Sequence, residues 1–118
     1  ADDLFVPGTA KLRPSSGPIL DIVGQQARDQ AEFDLLIEVR CPESAPRAPR
    51  FNDVWSLTAA QAVSVNRYLR FEGGLDPGRL IAVGRGPAAP TQKPGSTTPP
   101  TGSTVEFVFL SKVLTPKD

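Results

Sequence analysis

The stretch FDLLIEVR, Phe33 to Arg40, constrains the fold more than any other segment. Phe33, Leu35, Ile37 and Val39 alternate onto one face, while Leu36 keeps the face of Asp34, Glu38 and Arg40 partly apolar, the pattern of a central strand. Segments with helical spacing stand on both sides of it. Strands that alternate with helices are joined by crossovers, which are right-handed where the strands are parallel, so the sheet is expected to be mixed.

In the first helical segment, SSGPILDIVGQQARDQ, Ile19, Leu20, Val23 and Ala27 share a stripe behind Ser16 and Pro18, and a helix is predicted over Pro18 to Gln30. The second carries Ala62, Val65, Tyr68 and Leu69 inward and ends at Gly73-Gly74, which predicts a helix over Leu57 to Phe71. Its opening, WSLTAAQ, has the form of a capping box in which Thr58 and Gln61 satisfy each other's backbone donors. Further strands are predicted at Leu4 to Val6, ended by Pro7-Gly8, at Leu80 to Val83, and at Thr104 to Leu110, where Val105, Phe107 and Phe109 alternate. The class is α/β in the loose sense, or α+β. The expected architecture is a β-α-β-α-β-β domain, with a mixed four-stranded sheet and both helices packed on one face.

The 118 residues are enough for one domain with its own core. Two loops, 41–56 and 86–102, hold eight of the 13 prolines. Loops of that length are either functional or merely tolerated, and the first, between a strand end and a helix N-terminus, is the better functional candidate.

Lys plus Arg balances Asp plus Glu at 13 each, so nothing draws the chain toward nucleic acid. Histidine is absent and Cys41 is the one cysteine, which excludes His-based acid/base chemistry, Ser-His or Cys-His nucleophiles and Cys/His metal sites. No acid/base pair can be assembled from the loops, and neither an enzyme nor a metal or cofactor is expected. No apolar run is long enough to cross a bilayer. The chain opens abruptly beside a strand, as expected of a piece of a longer protein, so membrane attachment would come only through a segment outside it.

Three separated segments resemble OmpA-like and MotB-like C-terminal domains. LFVPGTAKLRPSSGPILDIV is similar to the family's opening, WSLTAAQAVSVNRYL to its W-E-L-S-x-x-R-A-x-x-V-x-x-Y-L, and GGLDPGRLIAVGRGPAAP to its G-x-D-P-x-R-L-x-x-x-G-x-G-x-x-x-P. Trp55 points to the MotB side. The resemblance implies a periplasmic domain of the kind that grips peptidoglycan. In that family an Asp closing G-H-T-D and the Arg of L-S-x-x-R-A hold the diaminopimelate of the stem peptide, since its zwitterionic end asks for an acid and a forked cation.

Here the charges of that motif are missing. Setting IEVRCPES against I-x-V-x-G-H-T-D places Ser44 at the acid position, with Glu43 beside it, and Gln61 stands where the Arg belongs. The family's later N-R-R-V is GSTV at Gly102 to Val105. Ser44, Gln61 and Thr58 are thus the ligand-site positions by resemblance. Glu43, with Arg47 or Arg50, could compensate, against the plainer reading of solvated loop charges. Cys41 reads as a small buried residue, Trp55 as cover for the core below the helix start with sugar or partner stacking as the lesser reading, and Gly84-Arg85-Gly86 as a turn.

Two functions follow from the resemblance. One is a non-catalytic envelope module that has abandoned diaminopimelate recognition and serves a protein partner, with a homodimer admissible. The other is a wall anchor that binds peptidoglycan through a modified site, for example in a stator-like complex.

Overall fold

In the computed structural model, which describes residues 4–45, 47–87 and 102–111, two helices and three strands follow one another as α1 (Ser16–Asp29), β1 (Phe33–Arg40), α2 (Val54–Phe71), β2 (Leu80–Gly84) and β3 (Thr104–Ser111). Most of the predicted 86–102 loop lies outside the described residues. The strand order is β2-β1-β3, with β1 in the middle as its apolar pattern required. β1 is parallel to β2 and antiparallel to β3, so the sheet is mixed.

Register explains which faces are apolar. Ile37 lies opposite Ala82 and Phe107, and Leu35 opposite Leu80 and Phe109, so these side chains share one face of the pleat. That face joins one core with Leu20 and Ala27 of α1 and Ala62, Val65 and Leu69 of α2. Both helices therefore cover the same side. Leu35, Ile37 and Val39 are fully buried, each worth about 1.5 to 3 kcal/mol. The odd positions of the motif thus decide the layer; Leu36, Glu38 and Arg40 point to the face without helices.

The helices are tied together at several points. Tyr68 Oη donates to Asp21 Oδ1 at 2.8 Å, and Gly24 lets Leu69 approach α1. A short 3-10 turn, Pro77–Arg79, accounts for the D-P-G-R motif. Asp76 caps it by accepting from Gly78 N at 2.9 Å, and Pro77 supplies a fixed φ. Arg79 then reaches across to the end of α1, donating through Nη2 to Ala27 O (2.8 Å), Gln30 O (2.9 Å) and Phe33 O (2.7 Å). One guanidinium thus satisfies the Ala27 carbonyl that the end of α1 leaves orphaned and ties that end to the start of β1.

Three expectations need correction. Among the described residues the sheet has three strands. The predicted strand Leu4 to Val6 contributes only an isolated bridge between Phe5 and Leu12, because the Pro7-Gly8 turn folds the segment back on itself, with Val6 N donating to Lys11 O and Arg13 N to Leu4 O. Phe5 and Leu4 are still buried in the core. Second, α2 begins at Val54, three residues before the predicted start, and its N-cap is Asp53, which accepts from Ser56 N at 2.8 Å; Thr58 and Gln61 form no capping box. Third, Trp55 does not cover the core.

Candidate functional site

The carboxyl ends of β1 and β2, the loop after β1 and the N-terminal half of α2 converge at one end of the sheet. In an α/β sheet this is where side chains from separate elements can meet a ligand. Two hydrogen bonds hold the strand exits together: Arg85 N donates to Val39 O (2.8 Å) and Cys41 N to Gly86 O (2.9 Å). The loop between β1 and α2 has a small core of its own, in which Cys41, Ala45 and Phe51 pack on Val54 and Leu57. It is also pinned to the N-terminal hairpin by Ala48 N donating to Gly8 O at 2.9 Å. The proline-rich composition had hidden this packing. Cys41 is a buried small residue, as its position at a strand end implied.

Gly84 and Gly86 each have a steric reason to be glycine. A Cβ on Gly84 would overlap the backbone of Thr58 and Ala59, so the end of β2 presses directly on α2. Gly86 has φ +61° and sits under the indole of Trp55, where a Cβ would fall 2.5 Å from Cδ2. Of the Gly-Arg-Gly run read as a turn, Gly84 instead closes β2 and only Gly86 lies in the turn that follows.

Thr58 and Gln61, at the positions assigned to ligand binding by resemblance, are both turned into the protein. Thr58 is fully buried; its Oγ1 accepts from Gly86 N at 3.0 Å and faces Trp55 O at 3.3 Å. It latches α2 to the turn after β2. Gln61 is 1% exposed and engaged at both ends of its amide: Nε2 donates to Thr9 O at 2.9 Å, and Oε1 accepts from Ser103 Oγ at 2.8 Å. Its neighbour Ser64 repeats the tie to the hairpin through Ala10 O at 2.7 Å.

The remaining candidates are scattered over the loop. Ser44 and Glu43 are exposed, and neither makes a side-chain hydrogen bond or ion pair among the described residues. Arg50 is exposed and lies over the Phe51 ring, 4.7 Å from its centroid, a cation–π contact. Arg47 is half-buried beside the mouth of α2; Nη2 makes a long contact to Asn52 O (3.5 Å), and its buried Nε has no partner among the described residues. Asp53 titrates below the usual carboxylate range, first because it accepts from Ser56 and then because Trp55 N and the Arg47 charge also favour its ionised form.

Sequence reasoning missed a charged cluster on the helix-free face of the same end. Glu38, 7% exposed, receives Arg85 Nε, and Arg40 bridges it to Glu106. Alternation along β1 and β3 was the available signal, since Glu38 pairs with Glu106 in register and two facing acids need cations between them. Both acids of the cluster are engaged by cations, Arg40 Nε is buried with no partner among the described residues, and neither acid is left free for the candidate site.

Two helices on one face of a small mixed sheet, with the candidate site at the carboxyl ends of its parallel pair, define a two-layer α/β domain. The OmpA family matches residues 4–101, and the chain belongs to the OmpA family. Among solved structures, it is similar to a putative MotB-like protein from Desulfovibrio vulgaris at 29% identity and TM-score 0.77, covering 92% of this chain and 68% of that one. The periplasmic domain of Helicobacter pylori MotB shares its fold at 17% identity and TM-score 0.74, covering 92% and 71%. The cell wall anchor of the T6SS from Pseudomonas aeruginosa does so at 24% identity and TM-score 0.72, covering 91% and 75%. No match was found among curated protein sequences.

Proposed function

We propose that the chain is a non-catalytic module of the cell envelope that acts as a structural or protein-interaction part of a periplasmic, membrane-anchored assembly, and that it no longer grips diaminopimelate. The observation that carries this reading is the closure of Gln61. At the position where the resemblance asks for an arginine open to a carboxylate stands a neutral amide, 1% exposed and spent on Thr9 and Ser103. Ser44, at the acid position, brings no charge. A zwitterionic stem peptide would lose both of its charge-assisted contacts, each worth roughly 1.5 to 3 kcal/mol.

The test is calorimetric titration with a sugar-free stem peptide containing diaminopimelate. Wild-type protein is expected to give no saturable heat. A second reading, a wall anchor using a modified site, draws support from the unpartnered Nε of Arg47 beside Asp53. Saturable binding that is lost in Arg47→Ala, Glu43→Ala or Arg50→Ala would establish that reading and overturn the first.

A further inference from the structure

We infer that copies of this chain associate head to tail, the outward stripe of α1 on one copy docking on the outward stripe of α2 on the next. Among the described residues the two most exposed large apolar side chains are Phe71 of α2, at 71%, and Ile22 of α1, at 61%. Neither stands alone. Ile19, one turn before Ile22, is 41% exposed, and Val63, about two turns before Phe71, is 46% exposed. The flanks by which α1 and α2 hold each other lie elsewhere, at Tyr68 with Asp21 and at Gly24 with Leu69, so both stripes face solvent.

Each stripe turns from apolar to charged along its length, and the signs are opposite. On α1, Asp29 follows Ile22 by seven residues and so shares its side of the helix; on α2, Arg70 follows Val63 by seven, with Arg67 between them. All three charged residues are exposed. Asp29 closes α1, where the helix dipole disfavours a carboxylate, and its partner within the fold is the neutral amide of Gln25, which donates to it at 3.0 Å. A guanidinium from outside would offset that conflict. With the two helices side by side and parallel, the equal spacing sets Ile22 against Val63 and Asp29 against Arg70 together, about 10 Å apart along the axis. Ala59, exposed one turn before Val63, leaves room for Ile19.

The charges select the occupant. Packing α1 on α1, or α2 on α2, would bring like charges together, so the contact is heterologous and leaves one stripe open at either end. An anionic lipid surface that drew Arg67 and Arg70 would repel Asp29 in the same helix layer, and a foreign helix would account for one stripe only. A second copy accounts for both. The chain carries 13 cationic and 13 acidic side chains, so copies do not repel one another as wholes. Stripes of about three turns fall short of the ~1,600 Å² of a standard interface, and the association is weak. It goes beyond the proposed function and does not depend on whether the candidate site takes a stem peptide.

Sedimentation velocity of the purified domain in low salt, from about 10 µM to about 1 mM, reads this association. The sedimentation coefficient is expected to climb with concentration past the dimer value, and to fall back in about 1 M salt, where the screening length shrinks to about 3 Å. Ile22→Lys blocks the stripe of α1 and Val63→Lys that of α2; both positions are exposed, and the circular dichroism is expected to match wild type. Each variant alone is expected to associate roughly tenfold or more weakly. Mixed in equal amounts, the two still hold one intact stripe of each kind and are expected to form dimers and nothing larger. A wild type that stays monomeric or stops at the dimer, association that neither substitution weakens, or a mixture that yields anything but dimers would overturn the inference. Pelleting of the wild type with phosphatidylglycerol vesicles in place of self-association would overturn it as well and assign the α2 stripe to lipid.

Discussion

Gln61 is the residue at which stability and function make the same demand. Gln61→Leu keeps much of the side-chain volume but strands Thr9 O and Ser103 Oγ, which Gln61 meets at 2.9 and 2.8 Å. Thr9 and Ser103 are both half-exposed and can turn partly to water, so the loss is two net hydrogen bonds, about 1 to 3 kcal/mol in all. For a chain of this size 1 kcal/mol moves the melting temperature by about 4 °C, so a fall of roughly 4 to 12 °C is expected. Gln61→Arg is the sharper test. By resemblance alone arginine belongs there and should be harmless. In this structure a guanidinium would enter a closed position, with a desolvation cost of several kcal/mol unless it pushed Thr9 and Ser103 aside. Chemical denaturation of both variants decides the matter, with Gln61→Arg expected to be the less stable. If it unfolds within about 0.5 kcal/mol of wild type, the arginine has reached solvent, position 61 is open to a ligand, and the argument for a lost grip fails.

Thr58→Ala leaves the amide of Gly86 without its acceptor and is expected to cost about 1 to 3 kcal/mol by urea melt, through the latch to the β2 turn and not through a helix cap. Arg79→Ala strips three carbonyls at and beyond the end of α1 and is expected to cost about 2 to 3 kcal/mol, with Arg79→Lys recovering only part, since an ammonium lacks the fork. Asp53 has a folded pKa below its ordinary 3.8, so its cap contributes fully above that value and is lost as the pH falls through the lowered one; Asp53→Asn, which keeps the acceptor, should flatten the acid limb of the stability profile. Tyr68 runs the other way: its hydrogen bond to Asp21, first, and then burial raise its pKa above 10.0, so its contribution holds below that and fades as the pH climbs through the raised value. Tyr68→Phe should remove that alkaline loss, as read by thermal melts across the range.

How much of this was legible beforehand depended on the range of the interaction. Periodicity is local, and so the alternation of Phe33 to Arg40 marked the central strand, while the stripe of Ala62, Val65 and Leu69 marked the buried side of α2. The glycines at 73 and 74 marked where that helix would stop. The same local reasoning misjudged the start of α2. Asp53 and Thr58 are both competent caps, and what selected the first was the packing of Val54 and Leu57 on Cys41, Ala45 and Phe51, a small core in a loop whose prolines suggested none. The bridge at Phe5 and Leu12 likewise replaced a strand because a tight turn competed with the sheet edge.

By itself the sequence determined the order from α1 to β3, the buried faces of β1 and α2, the family and the neutral residues at positions 44 and 61. Each of these is a matter of residue type and spacing along one segment. Ile19, expected on the inward stripe of α1, is instead 41% exposed. Tertiary structure decided that Gln61 faces Thr9 and Ser103, 52 and 42 residues away, and that Trp55 lies on Gly86 instead of covering the core. A side chain's hydrogen-bond partner, or the backbone beneath an indole, is set by which distant segments the fold brings within a few ångströms, and no local pattern encodes that distance.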